Sequence, residues 1–281
     1  MRRSFYHIST LARRKRNHIA SIKDERGEWL IEESKVIEHF RKGFSTLYTT
    51  SQTKVSCTPF PVDHWQVQLS EEAKLTLDAM ITHEEIKEAL WSMQPYKAPG
   101  PNGLHAGFFQ RFWLLVGDSV REEVENIFLT RKVIEYLNKT HIVLIPKIQG
   151  PESIGNYRPI SLCNVVYKII VARLRPHLDL LISPYQAAFV PGRRGANNAI
   201  IVQELVHIIS RMKGSIGAMA IKVDLKKEYD RIEWSFIKEM LIKFNVPQKL
   251  TELIISCVTS VSTVVLFNGG CLKSFSPLKR Y

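Results

Sequence analysis

Apolar and polar residues alternate over 219–225, in the pattern of a buried β-strand. One face of the predicted strand is apolar and consists of Met219, Ile221, Val223 and Leu225. Asp224 lies on the other face, and Asp230 with Glu233 has the spacing of a capping box at the start of a helix. A carboxylate at the end of a core strand is costly to bury unless it is paired or binds a metal. Asp224 is therefore a candidate metal ligand, although helix capping and ion pairing are commoner roles for such an aspartate.

Helical periodicity dominates the N-terminal half of the chain. It predicts a basic helix over 11–22 and a second helix over 33–48. The apolar stripe of the second helix comprises Val36, Ile37, Phe40, Phe44 and Leu47. A further helix is predicted to begin at Thr82, because Glu85 completes a capping box. Between these helices, 49–68 is polar, contains proline and reads as a loop.

Short apolar segments in the second half predict strands. Segments 141–146 and 158–162, separated by a Gly-Pro turn, predict a β-hairpin with Lys147 and Arg158 near its two arms. Segment 261–267 alternates with apolar side chains on both faces, so this strand requires cover on both sides. Helices are predicted over 161–176 and 199–212.

Composition indicates a globular protein with a polyanionic partner. The chain has 281 residues, 45% of them hydrophobic, and a formal net charge of +12. Four scattered cysteines without a CxxC pair argue against a zinc site and a disulfide framework. The first 23 residues contain seven Lys or Arg and no acid, which fits a mitochondrial transit peptide, a nuclear localisation or phosphate-binding cluster, or a solvated helix face. We predict no transmembrane helix.

Four blocks in a fixed order carry a family resemblance. They are KAPGPNGLHAGFFQRFW at 97–113, a block with LIPK and RPISL at 141–170, a block with QAAFVPGRR at 182–205, and AIKVDLKKEYDRIEW at 220–234. Together they resemble the reverse transcriptase of a plant LINE-type non-LTR retrotransposon over about 12–277 of the chain. LIPK and RPISL are closer to this type than to a group II intron maturase. Nucleus or cytoplasm is then a better expectation than mitochondrion.

The resemblance implies an α+β fold of the right-hand polymerase type. We expect fingers, a partial palm with an incomplete antiparallel palm sheet, and a helical N-terminal region. The implied division is a basic helical linker region at 1–68, a helical N-terminal or fingers extension at 69–140, and fingers with a truncated palm at 141–281.

The resemblance also implies roles for single residues. Asp224 corresponds to the catalytic carboxylate that binds Mg²⁺ or Mn²⁺, and Tyr229 to the aromatic that screens the sugar of the incoming nucleotide. Lys147 and Arg158 correspond to the pair that holds its triphosphate, although solvated surface charges are the alternative. The residues expected to contact RNA template, DNA primer or RNA–DNA hybrid are Arg13, Arg14, Lys15, Arg16, Arg193 and Arg194.

The chain departs from this family in ways that bear on activity. Two-metal chemistry needs a second carboxylate source, yet no Asp-Asp pair follows Asp224 and 240–281 contains no Asp. Glu228 replaces the usual Ala, and about four residues, roughly one helical turn, are missing near Ile170. We therefore expect a truncated copy that is inactive alone, binds metal weakly or not at all, and self-associates through an open sheet edge. The alternatives are a non-catalytic nucleic-acid-binding remnant and a functionless product of a decayed element.

Overall fold

The computed structural model describes residues 2–48, 67–213, 217–224 and 232–277. Its helices are α1 (Arg2–Asn17), α2 (Glu33–Leu47), α3 (Glu71–Asp78), α4 (His83–Trp91), α5 (Ala106–Arg111), α6 (Trp113–Thr130), α7 (Val165–Leu174), α8 (Leu178–Leu181), α9 (Gly195–Arg211), α10 (Trp234–Lys243) and α11 (Gln248–Thr259). Its strands are β1 (Ile22–Lys23), β2 (Trp29–Leu30), β3 (Lys139–Pro146), β4 (Tyr157–Cys163), β5 (Ser262–Phe267) and β6 (Gly270–Cys271). Helices and sheet are both present, which confirms the α+β class. No helix among these residues is long and apolar enough to cross a membrane.

A four-stranded sheet in the order β4-β3-β5-β6 organises one side of the molecule. β3 and β4 pair antiparallel with Ile145 opposite Arg158, which confirms the hairpin predicted at 141–162. β5 lies on the other side of β3 and pairs with it in parallel, with Ile142 opposite Val265. The short strand β6 then pairs antiparallel with β5.

This pairing corrects the expectation of an antiparallel palm sheet with an open edge. The sheet is mixed, because β5 runs parallel to β3. β5 also has a partner on each side, since β6 pairs with it and Thr263 forms a bridge with Phe275. The edge beside β5 is therefore not left open, and self-association stays a prediction. The division of the chain into fingers and palm stays a prediction.

The strand predicted over 219–225 is also wrong for the residues described. Segment 217–224 has no regular secondary structure, and no described strand pairs with it. Met219, Ile221 and Val223 are 74–81% exposed. Alternation creates an apolar face, but a strand also needs neighbouring N–H and C=O groups to pair with. Those groups are not supplied here by the described part of the chain.

The main core lies between the inner face of the sheet and α2. Phe40 and Phe44 are almost fully buried and pack against Ile142 of β3 and Phe267 of β5. The ring centroids of Phe40 and Phe267 are 5.5 Å apart. This contact confirms the apolar stripe predicted for the second helix, and it anchors the sheet on the N-terminal region.

The remaining helices form an adjoining body held in part by a buried arginine. Arg173 of α7 is 7% exposed and donates through Nη2 to the carbonyl oxygens of Thr76 at 2.9 Å and Ala79 at 2.6 Å. Its Nε lies 3.4 Å from Oε1 of Glu85, and its guanidinium lies over the ring of Phe128. Burial lowers the pKa of Arg173, and the negative charge of Glu85 opposes that shift. Arg173 therefore joins α7 to the end of α3 and the start of α4.

Hydrophobic clusters join segments that the sequence assigned to separate regions. The main core combines Ile19 and Phe40 with Ile142 and Val265, and a second cluster combines Leu77 of α3 with Leu250 of α11. The boundaries at 68 and 140 stay predictions, but the segments on either side share cores. Helix α9 differs, because none of its residues is buried.

Candidate nucleic-acid interface

A basic groove runs between the loop 97–104, one side of α7 and the loop 189–191. It encloses a cavity of about 770 Å³. Lys97, Lys168 and Arg175 line it, and the described lining residues include no Asp or Glu. Three cations without a carboxylate create a positive field that attracts an anion.

A glycine sets the position of one wall of this groove. A Cβ added to Gly100 would lie 2.5 Å from the carbonyl carbon of Cys163 and 2.6 Å from the backbone nitrogen of Asn164. Only glycine allows so close a backbone approach. The loop 97–103 is thus held against the end of a strand, because Cys163 is the last residue of β4.

A buried asparagine fixes the same wall by hydrogen bonds. Asn164 is 1% exposed, and its Oδ1 accepts from the backbone N–H of Asn102 at 3.2 Å. Its Nδ2 donates to the carbonyl oxygen of Leu137 at 2.8 Å. Asn164 therefore ties the loop to the segment before β3, so the position of Lys97 is set by the sheet and not by the loop alone.

The opposite wall is braced by Arg193. Its guanidinium pairs with the carboxylate of Asp179 at 2.8 Å and donates to four backbone carbonyls, those of Asp179, Ile182, Ser183 and Gln186. The side chain is 16% exposed. Sequence reasoning assigned Arg193 to phosphate, but its donors are engaged within the protein in this structure. Arg194 is exposed at the N-terminal end of α9, so the phosphate contact stays a prediction for Arg194.

The predicted triphosphate pair lies on the β3–β4 hairpin. Arg158 is exposed opposite Ile145, and Lys147 follows the last residue of β3. The Nζ of Lys147 donates to the carbonyl oxygen of Gly155 at 2.8 Å. The structure therefore brings both cations to one end of one hairpin, with Lys147 folded over the turn.

The other predicted site residues are not assembled around this hairpin. Asp224 is exposed in segment 217–224 and makes no hydrogen bond or ion pair with any described residue. Tyr229 and Glu228 lie outside the described residues. The basic cluster Arg13, Arg14, Lys15 and Arg16 is exposed at the end of α1.

The described side chains include no cluster of metal ligands. No group of three or more His, Cys, Asp or Glu that could hold a metal ion occurs within 2–48, 67–213, 217–224 and 232–277. Mg²⁺ in polymerase sites is bound by one or two carboxylates together with substrate phosphates. Asp224 alone would supply one such ligand, so the described residues do not fit a two-metal centre.

Sequence reasoning missed the cations of the groove. Lys168 lies in the first half of α7, and Arg175 caps its C-terminal end seven residues later, so the two share a face. That spacing was a usable signal. The proximity of Lys97 was not readable, because it depends on Asn164 and on the close approach at Gly100.

Comparison with known proteins gives matches that include most of this region. Residues 145–277, somewhat less than half of the chain, match the family described as reverse transcriptase (RNA-dependent DNA polymerase). A 149 kDa protein of transposon TX1 from Xenopus laevis is 31% identical over 173 residues, which cover 60% of this chain and 13% of that protein. A Pol polyprotein of the type-1 retrotransposable element R2 from Bradysia coprophila is 23% identical over 246 residues, 84% of this chain and 25% of the polyprotein. The chain thus spans a quarter or less of either relative.

Proposed function

We propose that this chain, which carries a reverse transcriptase domain similar to those of non-LTR retrotransposon proteins, binds the template and primer of RNA-directed DNA synthesis in its basic groove. The observation that carries the proposal is the cluster of Lys97, Lys168 and Arg175 in a groove without a described carboxylate. Phosphate contacts of this kind give affinity with little sequence preference. In the terms of the family, which we take to be of the plant LINE type, the sheet β4-β3-β5-β6 would belong to the fingers.

Nucleotide binding is the second part of the proposal. Lys147 and Arg158 lie at one end of the β3–β4 hairpin, and both are exposed. Arg offers a planar fork to phosphate oxygens, and Lys offers a compact charge. We assign this pair to the triphosphate of an incoming deoxynucleotide, with Tyr229 beside its sugar and Asp224 as the metal-binding carboxylate.

The third part is that this chain adds no nucleotide by itself. Two divalent metals need at least two carboxylate sources, and Asp224 is the single one that the family resemblance supplies within this sequence. A lone carboxylate is a poor site for Mg²⁺, which gives up its waters reluctantly. Binding of nucleic acid without catalysis is then the activity to look for.

Salt-dependent binding tests the groove. The triple change of Lys97, Lys168 and Arg175 to Ala should weaken binding to duplex nucleic acid and reduce the slope of log affinity against log salt by about 2–3, at about 0.9 per lost phosphate contact. The matched control is another set of three basic residues paired with acids elsewhere, namely Lys35, Arg41 and Lys249. Equal losses from both triples would leave only a non-specific effect of net charge.

Primer extension tests the third part. The 281-residue chain, a primed RNA template, deoxynucleotides and Mg²⁺ or Mn²⁺ should give no extended product. Metal-dependent extension that is lost on Asp224→Ala would overturn the claim of inactivity, and it would show that a second carboxylate completes the site.

A further inference from the structure

Phe189 has an unusual backbone conformation at the rim of the basic groove. Its φ is 64°, in the left-handed region that bulky residues rarely adopt. Its side chain is 84% exposed. Backbone strain of this kind persists where the surroundings enforce it, and it is concentrated at ligand sites.

The surroundings of Phe189 enforce both its backbone and its exposure. Val190, the next residue, is buried, and Gly192 has a φ of 80° that closes the turn. The five acceptors of Arg193 lie on 179–186, immediately before this turn. Asn198 of α9 donates to the carbonyl oxygen of Tyr185 at 3.0 Å from the other side. Residues before and after Phe189 are thus anchored, which fixes the backbone that carries its exposed side chain.

Phe189 lines two adjoining cavities. It lines the basic groove together with Lys168 and Arg175. It also lines an apolar cavity of about 470 Å³, whose other walls include Tyr167 and Ile170. Phe189 therefore lies between the apolar cavity and the basic side chains Lys168 and Arg175.

We propose that Phe189 is a stacking platform for an unpaired base of a nucleic-acid strand whose phosphates lie along Lys168 and Arg175. The inference rests on the proposed function and names the residue that contacts a base. Stacking on an exposed aromatic beside a positively charged groove is the general means by which proteins hold single strands. The groove contains no described carboxylate, so its charge complements a phosphodiester better than it complements a basic peptide.

A structural role would give a different result. If Phe189 served only to cover the apolar cavity, its removal would weaken folding and would reduce binding of every polyanion to the same extent. Stacking, in contrast, acts on bases and leaves the phosphate contacts unchanged. Two oligonucleotide probes separate these roles.

The experiment uses the 281-residue chain and a fluorescently labelled single-stranded RNA of mixed sequence, compared with an abasic phosphodiester strand of equal length. Phe189→Ala should weaken binding of the RNA about 5- to 100-fold, the loss expected for one stacked base. It should leave binding of the abasic strand and the salt slope unchanged. Phe189→Trp should retain the affinity, and Phe236→Ala, at an exposed aromatic of α10, is the matched control.

Each other outcome overturns the proposal. Equal losses for both strands would assign Phe189 to cover of the apolar cavity, and no loss for either would remove its contact with a base. In both cases the groove would still bind nucleic acid, so the proposed function would survive. Binding of neither strand by the unaltered chain at low salt would overturn the proposed function and the stacking role together.

Discussion

The sheet with α2 and the segments 195–213 and 217–224 are both rich in apolar residues. Only the sheet and α2 bury them. In the sheet region, Phe40 of α2 and Ile142 of β3 are fully buried in the same core. In α9, Ile200 and Val206 are 58% and 54% exposed, although apolar residues occur on nearly every side of this helix. A helix that is apolar all round is normally a buried one.

This difference shows what an apolar pattern in a sequence can predict about burial and what it cannot. A pattern identifies side chains that gain stability from cover, but it does not identify the cover. β3 obtains cover and pairing at once, because β4 and β5 flank it and α2 lies on its inner face. Segment 217–224 has the alternation of a strand and no described neighbour to pair with.

A matched pair of isoleucines gives the largest test of this comparison. Ile86 of α4 is fully buried, and Ile201 of α9 is 48% exposed. Ile86→Ala should lower the free energy of unfolding by about 2–5 kcal/mol, because it opens a cavity in a packed helix contact. Ile201→Ala should change it by less than about 0.5 kcal/mol. Urea denaturation of the two variants measures both values, and equal losses would mean that α9 is packed in solution.

A pair of glycines gives the next largest test. Gly100→Ala places a Cβ 2.5 Å from the backbone of Cys163, which cannot move aside as a flexible side chain would. The free energy of unfolding should therefore fall by about 1–3 kcal/mol. Gly195, at the start of α9, has no atom within 4 Å of an added Cβ. Gly195→Ala should therefore stabilise the protein by about 0.4–1 kcal/mol, since it reduces the freedom of the unfolded chain. Thermal unfolding of both variants tests the opposite signs, and a loss at Gly195 would mean that α9 is packed closely at its start.

Local signals in the sequence predicted most of the regular elements. The cap at Thr82, which accepts from the backbone N–H of Glu85 at 3.1 Å, the helix at 33–48 and the hairpin at 141–162 are confirmed within a few residues. These depend on contacts between residues near in sequence. The parallel pairing of β3 with β5 joins residues more than a hundred positions apart, and no periodicity in either segment encodes it.

The sequence predicted the basic character of the site but not the arrangement of its side chains. Basic character and the family blocks pointed to nucleic acid, and Lys147 and Arg158 are brought to one hairpin. The contacts of Arg193 within the protein were not predictable, because a loop arginine looks the same in sequence whether it faces solvent or braces a turn. The exposure of Phe189 was likewise not predictable from the sequence.

Exposed apolar surface on α9 predicts self-association, by a different surface from the sheet edge first expected. Ile201→Lys with Leu205→Lys should weaken association at least tenfold, which corresponds to about 1.4 kcal/mol. Gln203→Lys with Ser210→Lys adds the same charge at exposed polar positions of the same helix. Sedimentation over a range of concentrations compares the two pairs. Equal shifts from both would assign the effect to charge repulsion and not to the apolar surface.

The smallest expected effect concerns pH and a histidine of the sheet. His141 lies on β3 between Leu162 and Val264, and burial lowers its pKa from 6.5. Below about pH 6.5 the unfolded chain binds a proton that folded His141 resists, so this contribution to stability is complete above that pH and is lost as pH falls. His141→Gln should therefore reduce the difference in urea midpoint between pH 7.5 and pH 5.5. An unaltered difference in the His141 variant would mean that this side chain is solvated in both states.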